Sequence, residues 1–227
     1  MLKNLINLLF PNLCCGCNAL LLENEGLICA KCRHELPLTQ HHLHPNNSIT
    51  KKFYGILPIE FGSAMLYFHK DGIVQNLIHH LKYKNKPEIG TLLGDWYAHD
   101  LQTIAATHKF SAIIPVPLHK KRLQERGYNQ VTNFGVALAK RLEIPYNESL
   151  LQRNVYSKTQ VKKDLLGRIS VIDSLFDVTF SDKDHNKHFL LIDDVLTTGA
   201  TLEACGRALL KIPGAKISIV CMAMSHS

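Results

Sequence analysis

The stretch that decides the fold is FLLIDDVLTTGATL, residues 189–202. Its first four residues, Phe189 to Ile192, are apolar and have the length of a buried strand, and the acidic pair Asp193 and Asp194 follows them directly. A short turn rich in threonine and glycine then opens a helix. Ligands of parallel α/β sheets bind at the carboxyl ends of the strands. We therefore expect the two carboxylates and the turn to line a ligand site.

The turn has the composition of a phosphate-binding site. Gly199 and its small neighbours let the main chain wrap closely, and the N–H groups of a helix start, together with threonine hydroxyls, offer donors to a phosphate. Two adjacent carboxylates repel each other unless a cation or sugar hydroxyls lie against them, so Asp193 and Asp194 need a ligand. The alternative is structural: Thr198 is then a helix N-cap, and the aspartates are solvated loop residues.

Outside this stretch, helical and strand patterns alternate along the chain. Apolar residues recur at helical spacing in four segments, and two short apolar runs have strand length; the helical segments are 73–81, 92–101, 131–142 and 200–211, and the runs are 111–116 and 217–220. This alternation predicts an α/β domain with a mostly parallel sheet and helices on both faces. With 46% hydrophobic and 20% charged residues, the 227-residue chain can fill such a core, which excludes a disordered or fibrous protein.

The positive charge of the chain is concentrated in its middle. The net charge is +7, and residues 115–170 hold 11 Lys and Arg against 4 Asp and Glu, compared with 10 against 8 before them and 5 against 7 after them. Clustered cations predict a phosphate or nucleic-acid ligand. A loop after the 111–116 strand carries the cations that we expect to face a diphosphate, unless they form a solvated charge run: Lys120, Lys121, Arg122 and Arg126.

The N-terminal region predicts a structural zinc site. Two CxxC pairs supply four thiolates, which suit closed tetrahedral zinc coordination: Cys14, Cys17, Cys29 and Cys32. Cys15 offers a competing pair with Cys17, and His34 offers a replacement for Cys32; reduced thiols without a metal are the plain alternative. The start of the chain, MLKNLINLLF, does not resemble a secretory signal, so we expect a cytoplasmic, reducing environment that favours metal binding over disulfides. The sequence also predicts no membrane span.

The segment from Pro37 to Lys52 is polar and turn-forming, so we predict a solvated linker there. Its position divides the chain into a zinc-binding module, residues 1–45, and a larger α/β domain, residues 46–227.

Two resemblances extend these predictions. The order of four apolar residues, two acids and TTGAT resembles the signature of type I phosphoribosyltransferases, enzymes that use 5-phosphoribosyl 1-diphosphate (PRPP). Together with the CxxC pairs, with LKY (residues 81–83) and with the block that runs from PVPL to RGYNQ (residues 115–130), it resembles the ComF family of competence-associated, phosphoribosyltransferase-like proteins over nearly the whole chain.

The resemblance implies a type I phosphoribosyltransferase fold and a role for each part of the site. Asp193 and Asp194 are the implied catalytic residues, which bind the ribose hydroxyls and help to order Mg²⁺. A mobile flap is implied at Lys158, Gln160 and Arg168. The implied PRPP-binding set is Asp193, Asp194, Val195, Leu196, Thr197, Thr198, Gly199, Ala200 and Thr201.

The implied function is Mg²⁺-dependent phosphoribosyl transfer in DNA uptake and utilisation. A nitrogen nucleophile would displace diphosphate from C1 of PRPP, and the protein would contribute positioning and charge stabilisation rather than a covalent nucleophile. The alternative is a non-catalytic protein of the competence machinery that senses PRPP or a nucleotide, or binds single-stranded DNA. The implied partners are PRPP, single-stranded DNA and a competence helicase.

Overall fold

A computed structural model describes residues 11–154 and 175–225 of the chain. Among these residues the strands are β1 Phe61–Phe68, β2 Ala112–Pro115, β3 Leu151–Arg153, β4 Phe176–Val178, β5 His188–Leu196 and β6 Lys216–Ser225. The helices are α1 Ala30–His34, α2 Ser48–Phe53, α3 Ile73–Tyr83, α4 Glu88–His108, α5 Lys120–Arg126, α6 Thr132–Leu142 and α7 Ala200–Leu209.

The main sheet has four strands in the order β1–β6–β5–β2, and every neighbouring pair is parallel. Strands β3 and β4 form a separate antiparallel ribbon. Successive side chains of a strand point to opposite faces of a sheet. Both faces of the main sheet are apolar, and helices cover both. On β5, Leu190 and Ile192 pack with the face covered by α3, α4 and α6, whereas Phe189 and Leu191 pack with the face covered by α2 and α7. The predicted fold class is confirmed.

Strand β1 and helix α2 differ from the sequence-based expectation. Strand β1 was not predicted, because its residues are buried on both faces and therefore show no alternation of polar and apolar side chains. The segment predicted as a solvated linker contains α2 and packs against β1. Asn47 caps α2 by accepting from the N–H groups of Ile49 and Thr50, and its amide donates to the carbonyl of Gly62. The prediction of a solvated loop is wrong at Asn47 and His41, which are both buried.

The cysteine-rich segment shares a core with the sheet. Its buried side chains belong to the same hydrophobic cluster as α3 and α4. The Asn76 amide of α3 donates to the carbonyl of Gly16 (2.7 Å), and the Arg33 guanidinium lies over the ring of Trp96 on α4, 4.9 Å from its centre. The division into modules 1–45 and 46–227 stays a prediction. None of the helices within residues 11–154 and 175–225 is long and apolar enough to cross a membrane.

Candidate phosphoribosyl site and cysteine cluster

The acidic pair lies where β5 extends beyond its neighbour β2. The pairing of these strands ends at Pro115 and Ile192, whereas β5 remains paired with β6 up to Leu196 and Met224. Residues 193–196 of β5 are therefore not paired with β2. Asp193 is half-buried there, and Asp194 is 5% exposed.

Asp194 is held by two side chains from different parts of the chain. Its Oδ2 atom lies 2.8 Å from Nζ of Lys82, at the end of α3, and accepts a hydrogen bond of 2.6 Å from Nε2 of Gln130. A buried carboxylate is tolerated when it is paired and hydrogen-bonded. Lys82 and Gln130 meet this requirement in the structure without a ligand.

Asp193 is in a different electrostatic situation. Its Oδ1 atom accepts the backbone N–H of Asp194 at 2.8 Å. Burial raises the pKa of the Asp193 carboxyl above the ordinary aspartate value, and the neighbouring charge of Asp194 raises it further. A cation or a hydroxyl donor next to Asp193 would stabilise the ionised form of its carboxyl. Asp194 is paired with Lys82 and Gln130. The expectation that the adjacent acids need a ligand therefore applies to Asp193.

The turn after β5 presents the groups predicted for a phosphate. Thr197, Thr198 and Thr201 are exposed, and Gly199 adopts a left-handed conformation (φ 89°) at the N-cap of α7. The backbone N–H of Ala200 donates to Oγ1 of Thr198 at 3.4 Å. First-turn N–H groups of a helix lack partners within the helix, so they are available to an anion.

The other two members of the implied PRPP-binding set lie before this turn. Val195 is half-buried. Leu196 is buried in the core on the α7 side, where its side chain has a packing role.

The basic segment is a helix rather than the predicted loop. Helix α5 begins after His119, whose ring Nδ1 accepts the N–H of Lys121, and ends at Gly127 in a left-handed conformation. Both ends are thus stabilised locally. Lys120, Lys121 and Arg122 are exposed, whereas Arg126 is half-buried.

The sequence RGYNQ, residues 126–130, fixes the end of α5 against its neighbours. Arg126 donates to Oε1 of Gln130 (2.8 Å), and its guanidinium lies 5.2 Å from the ring centre of Tyr83. The Tyr128 hydroxyl donates to the carbonyl of Leu81, and the Asn129 amide donates to the carbonyl of Val116 (3.0 Å). These contacts connect the basic helix, the end of α3 and the end of β2.

Sequence reasoning did not assign functional roles to Lys82 and Gln130. Both lie in motifs that carry the family resemblance, LKY at 81–83 and RGYNQ at 126–130, and that was the available signal. The flap residues Lys158, Gln160 and Arg168 fall outside the described residues.

The four cysteines of the CxxC pairs come together as predicted. The Sγ atoms of Cys14, Cys17, Cys29 and Cys32 all lie within 4.8 Å of one another. The Sγ atoms of Cys17 and Cys29 are 3.7 Å apart, close to the separation of about 3.8 Å that tetrahedral Zn–S bonds of 2.3 Å require. Cys15 and His34, the alternative ligands, are not members of this group.

Backbone donors support a thiolate at Cys14. The N–H groups of Gly16 and Cys29 donate to Sγ of Cys14 at 3.3 and 3.2 Å. Burial opposes ionisation of Cys14, but the backbone hydrogen bonds from Cys29 and Gly16 outweigh it, and its pKa is lowered to about 7. Four soft sulfur ligands with no open position fit a structural zinc ion.

The fold and the site define a class of protein. The chain is an α/β protein with a parallel sheet covered on both faces, an acidic pair and a threonine-rich turn at the carboxyl edge of that sheet, and a cysteine cluster near the N-terminus. No protein-family model matches the chain.

Sequence relatives confirm the resemblance to the ComF family. The chain is 26% identical over 198 residues to competence protein ComFC of Bacillus subtilis, covering 87% of this chain and 78% of that protein. It is 29% identical over 147 residues to competence protein F of Haemophilus influenzae, covering 63% of this chain and 64% of that protein. The DNA utilisation protein YhgH of Escherichia coli K12 is 23% identical, covering 93% and 96% of the two chains. The chain is a homologue of these competence and DNA utilisation proteins.

Solved structures similar to this chain include two phosphoribosyltransferase-related enzymes. The purine phosphoribosyltransferase of Pyrococcus horikoshii has a TM-score of 0.39 at 21% identity, covering 59% of this chain and 74% of that one. The glutamine PRPP amidotransferase of B. subtilis has a TM-score of 0.45 at 14% identity, covering 63% and 30%.

Proposed function

We propose that this chain binds PRPP at the carboxyl edge of its sheet and transfers the phosphoribosyl group to a nitrogen acceptor in a Mg²⁺-dependent reaction. The observation that carries the proposal is the placement of Asp193, Asp194 and the turn 197–201 at the carboxyl end of β5. The turn and the start of α7 would receive the 5-phosphate. The Asp193 carboxylate would accept hydrogen bonds from the ribose hydroxyls.

The residues at the site fit a magnesium ion. Carboxylate oxygens are the protein ligands that Mg²⁺ prefers, and it usually combines one or two of them with phosphate oxygens and water. Asp193 would provide this contact, since Asp194 is already paired with Lys82. The bound ion would supply positive charge that offsets the diphosphate.

The proposed biological role is DNA uptake or utilisation in natural competence. It rests on the names of the relatives, competence protein F, ComFC and YhgH. A cytoplasmic location and a competence helicase as partner belong to the same proposal.

Calorimetric titration of PRPP with Mg²⁺ into the wild-type protein and into Asp193→Ala tests the binding site. We expect saturable binding by the wild type and its loss in the variant, and diphosphate release in the presence of an acceptor would demonstrate transfer. Failure of the wild type to bind PRPP would contradict the proposal.

A second candidate function is binding of single-stranded DNA, and the exposed basic surface of α5 favours it. None of the residues of α5 is buried, and Lys120, Lys121 and Arg122 all face solvent. Each phosphate contact contributes about −0.7 to the slope of log affinity against log salt. Lys120→Ala should flatten this slope, whereas Lys51→Ala, at an exposed position on α2, should leave it unchanged.

A further inference from the structure

A cavity of about 430 Å³ opens between the end of α3 and helix α5. Three cations line it, Lys82, Arg122 and Arg126, together with the carboxylate of Glu125 and the rings of Tyr83 and Tyr128. The lining therefore carries an excess of positive charge. Such a cavity favours an anionic ligand with several oxygen atoms.

Lys82 connects this cavity to the acidic pair. Its ammonium lies 2.8 Å from Oδ2 of Asp194, and its side chain is 21% exposed. The end of α3 that carries Lys82 is held in place, since the Tyr128 hydroxyl donates to the carbonyl of Leu81. The ammonium is therefore fixed at the boundary between the cavity and the end of β5.

Arg126 is also held in place by contacts within the protein. The hydrogen bond to Gln130 and the contact with the ring of Tyr83 hold its guanidinium from two sides. Gln130 in turn donates to Asp194, so that Asp194 orients Lys82 directly and Arg126 through Gln130. A preorganised pair of cations binds an anion with a smaller loss of side-chain entropy.

The four cations predicted to face a diphosphate divide into two groups. Arg122 and Arg126 line the cavity. Lys120 and Lys121 are exposed, and the ammonium of Lys121 lies 4.0 Å from Glu125 on the surface of α5.

We propose that Lys82, held by Asp194, is a diphosphate-binding residue of the cavity between α3 and α5. This inference rests on the proposed function. During transfer, the bond between C1 and the diphosphate oxygen breaks and its electron pair stays on that oxygen, while the acceptor nitrogen bonds to C1 and releases its proton to solvent. Lys82, Arg122 and Arg126 stabilise the charge that develops on the departing diphosphate. Asp194 is then a positioning residue, and Asp193 is the carboxylate that faces the ribose.

Titration calorimetry with two separate probes, inorganic diphosphate with Mg²⁺ and ribose 5-phosphate, tests the assignment. Lys82→Met removes the charge and keeps the length of the side chain, and Lys82→Arg keeps the charge. Lys84→Met is the matched control, at an exposed position just beyond the end of α3. We expect Lys82→Met to weaken diphosphate binding by about tenfold to a hundredfold, the loss typical of a hydrogen bond to a charged group. Ribose 5-phosphate should bind as it does to the wild type. Lys82→Arg should recover most of the diphosphate affinity.

The outcomes separate this inference from the proposed function. If the wild type binds PRPP but Lys82→Met binds diphosphate as tightly as Lys84→Met does, Lys82 has no role in diphosphate binding and the inference is wrong. Equal losses for diphosphate and ribose 5-phosphate in Lys82→Met would show a purely structural role and would also overturn it. If the wild type binds ribose 5-phosphate and diphosphate but not PRPP, the proposed function fails while the assignment of Lys82 stands.

Discussion

Replacing Lys82 by methionine should destabilise the unliganded protein, because it leaves the Asp194 carboxylate buried without its cation. The side chain of Asp194 is 8% exposed and that of Lys82 is 21% exposed. Removing one partner of a fully buried pair costs about 3–5 kcal/mol of unfolding free energy. Gln130 still donates to Asp194, and part of Lys82 is solvated, so we expect a loss of about 2–3 kcal/mol.

A double-mutant cycle isolates the interaction. Asp194→Asn alone should cost about 1–2 kcal/mol, because the hydrogen bond from Gln130 can persist and Lys82 can reach solvent. The double variant should be more stable than the sum of the single losses predicts, with a coupling of about 1–2 kcal/mol.

Urea unfolding at pH 7 without ligand gives these values, and fluorescence of Trp96, the single tryptophan of the chain, reports the transition. Lys84→Met should change the free energy of unfolding by less than about 0.5 kcal/mol. Additive losses in the double variant would refute the reasoning, because they would show that Lys82 and Asp194 do not stabilise each other.

Three further predictions concern the acidic pair, the cysteine cluster and the glycine of the turn. The pKa of Asp193 is raised in the folded state, so ionisation of this carboxyl opposes folding. The stability that Asp193 contributes therefore falls as pH rises from the ordinary aspartate pKa of 3.8 through the raised pKa. Asp193→Asn should therefore gain stability relative to the wild type as pH increases from 4 to 8, in melts without metal; a difference independent of pH would contradict the shift. Elemental analysis of purified protein should show that Cys29→Ser lowers the zinc content from one equivalent toward zero, whereas Cys15→Ala keeps it. Equal zinc contents in the two variants would exclude the four-cysteine site. Gly199→Ala should cost about 1–3 kcal/mol and also abolish PRPP binding, whereas Gly55→Ala, at a similar φ of 72° with open space around it, should lose stability but keep binding.

The arrangement of the acidic pair and the threonine-rich turn could be predicted because it is local in sequence. A buried strand, two acids and a glycine-containing turn follow one another in residues 189–202, and the cysteine ligands form two short pairs. Each pattern brings its own functional groups together without information about the rest of the fold. The structure places them accordingly, at the end of β5 and in a cluster of four sulfur atoms.

Other elements were missed because their signals were weak or absent. The start of α5 is capped by His119 instead of Ser, Thr, Asp or Asn, so the usual N-cap signal is lacking, although Gly127 marks its end. Strand β1 has no alternation, and a helix in the segment 37–52 depends on the capping contacts of Asn47 and on the burial of Ile49 and Phe53.

Counting basic residues in residues 115–170 does not identify the cation that pairs with Asp194. Residues 115–170 hold the whole excess, yet part of it pairs with another acid or faces solvent: Arg141 pairs with Asp95 of α4 at 2.6 Å, and Lys120 and Lys121 are exposed. The ammonium that pairs with Asp194 comes instead from Lys82, in a part of the chain with nearly balanced charge. Its position depends on how the end of α3 packs beside β5, which no count along the sequence can reveal. Long-range packing, not the local density of basic residues, therefore decides which cations reach the acidic pair.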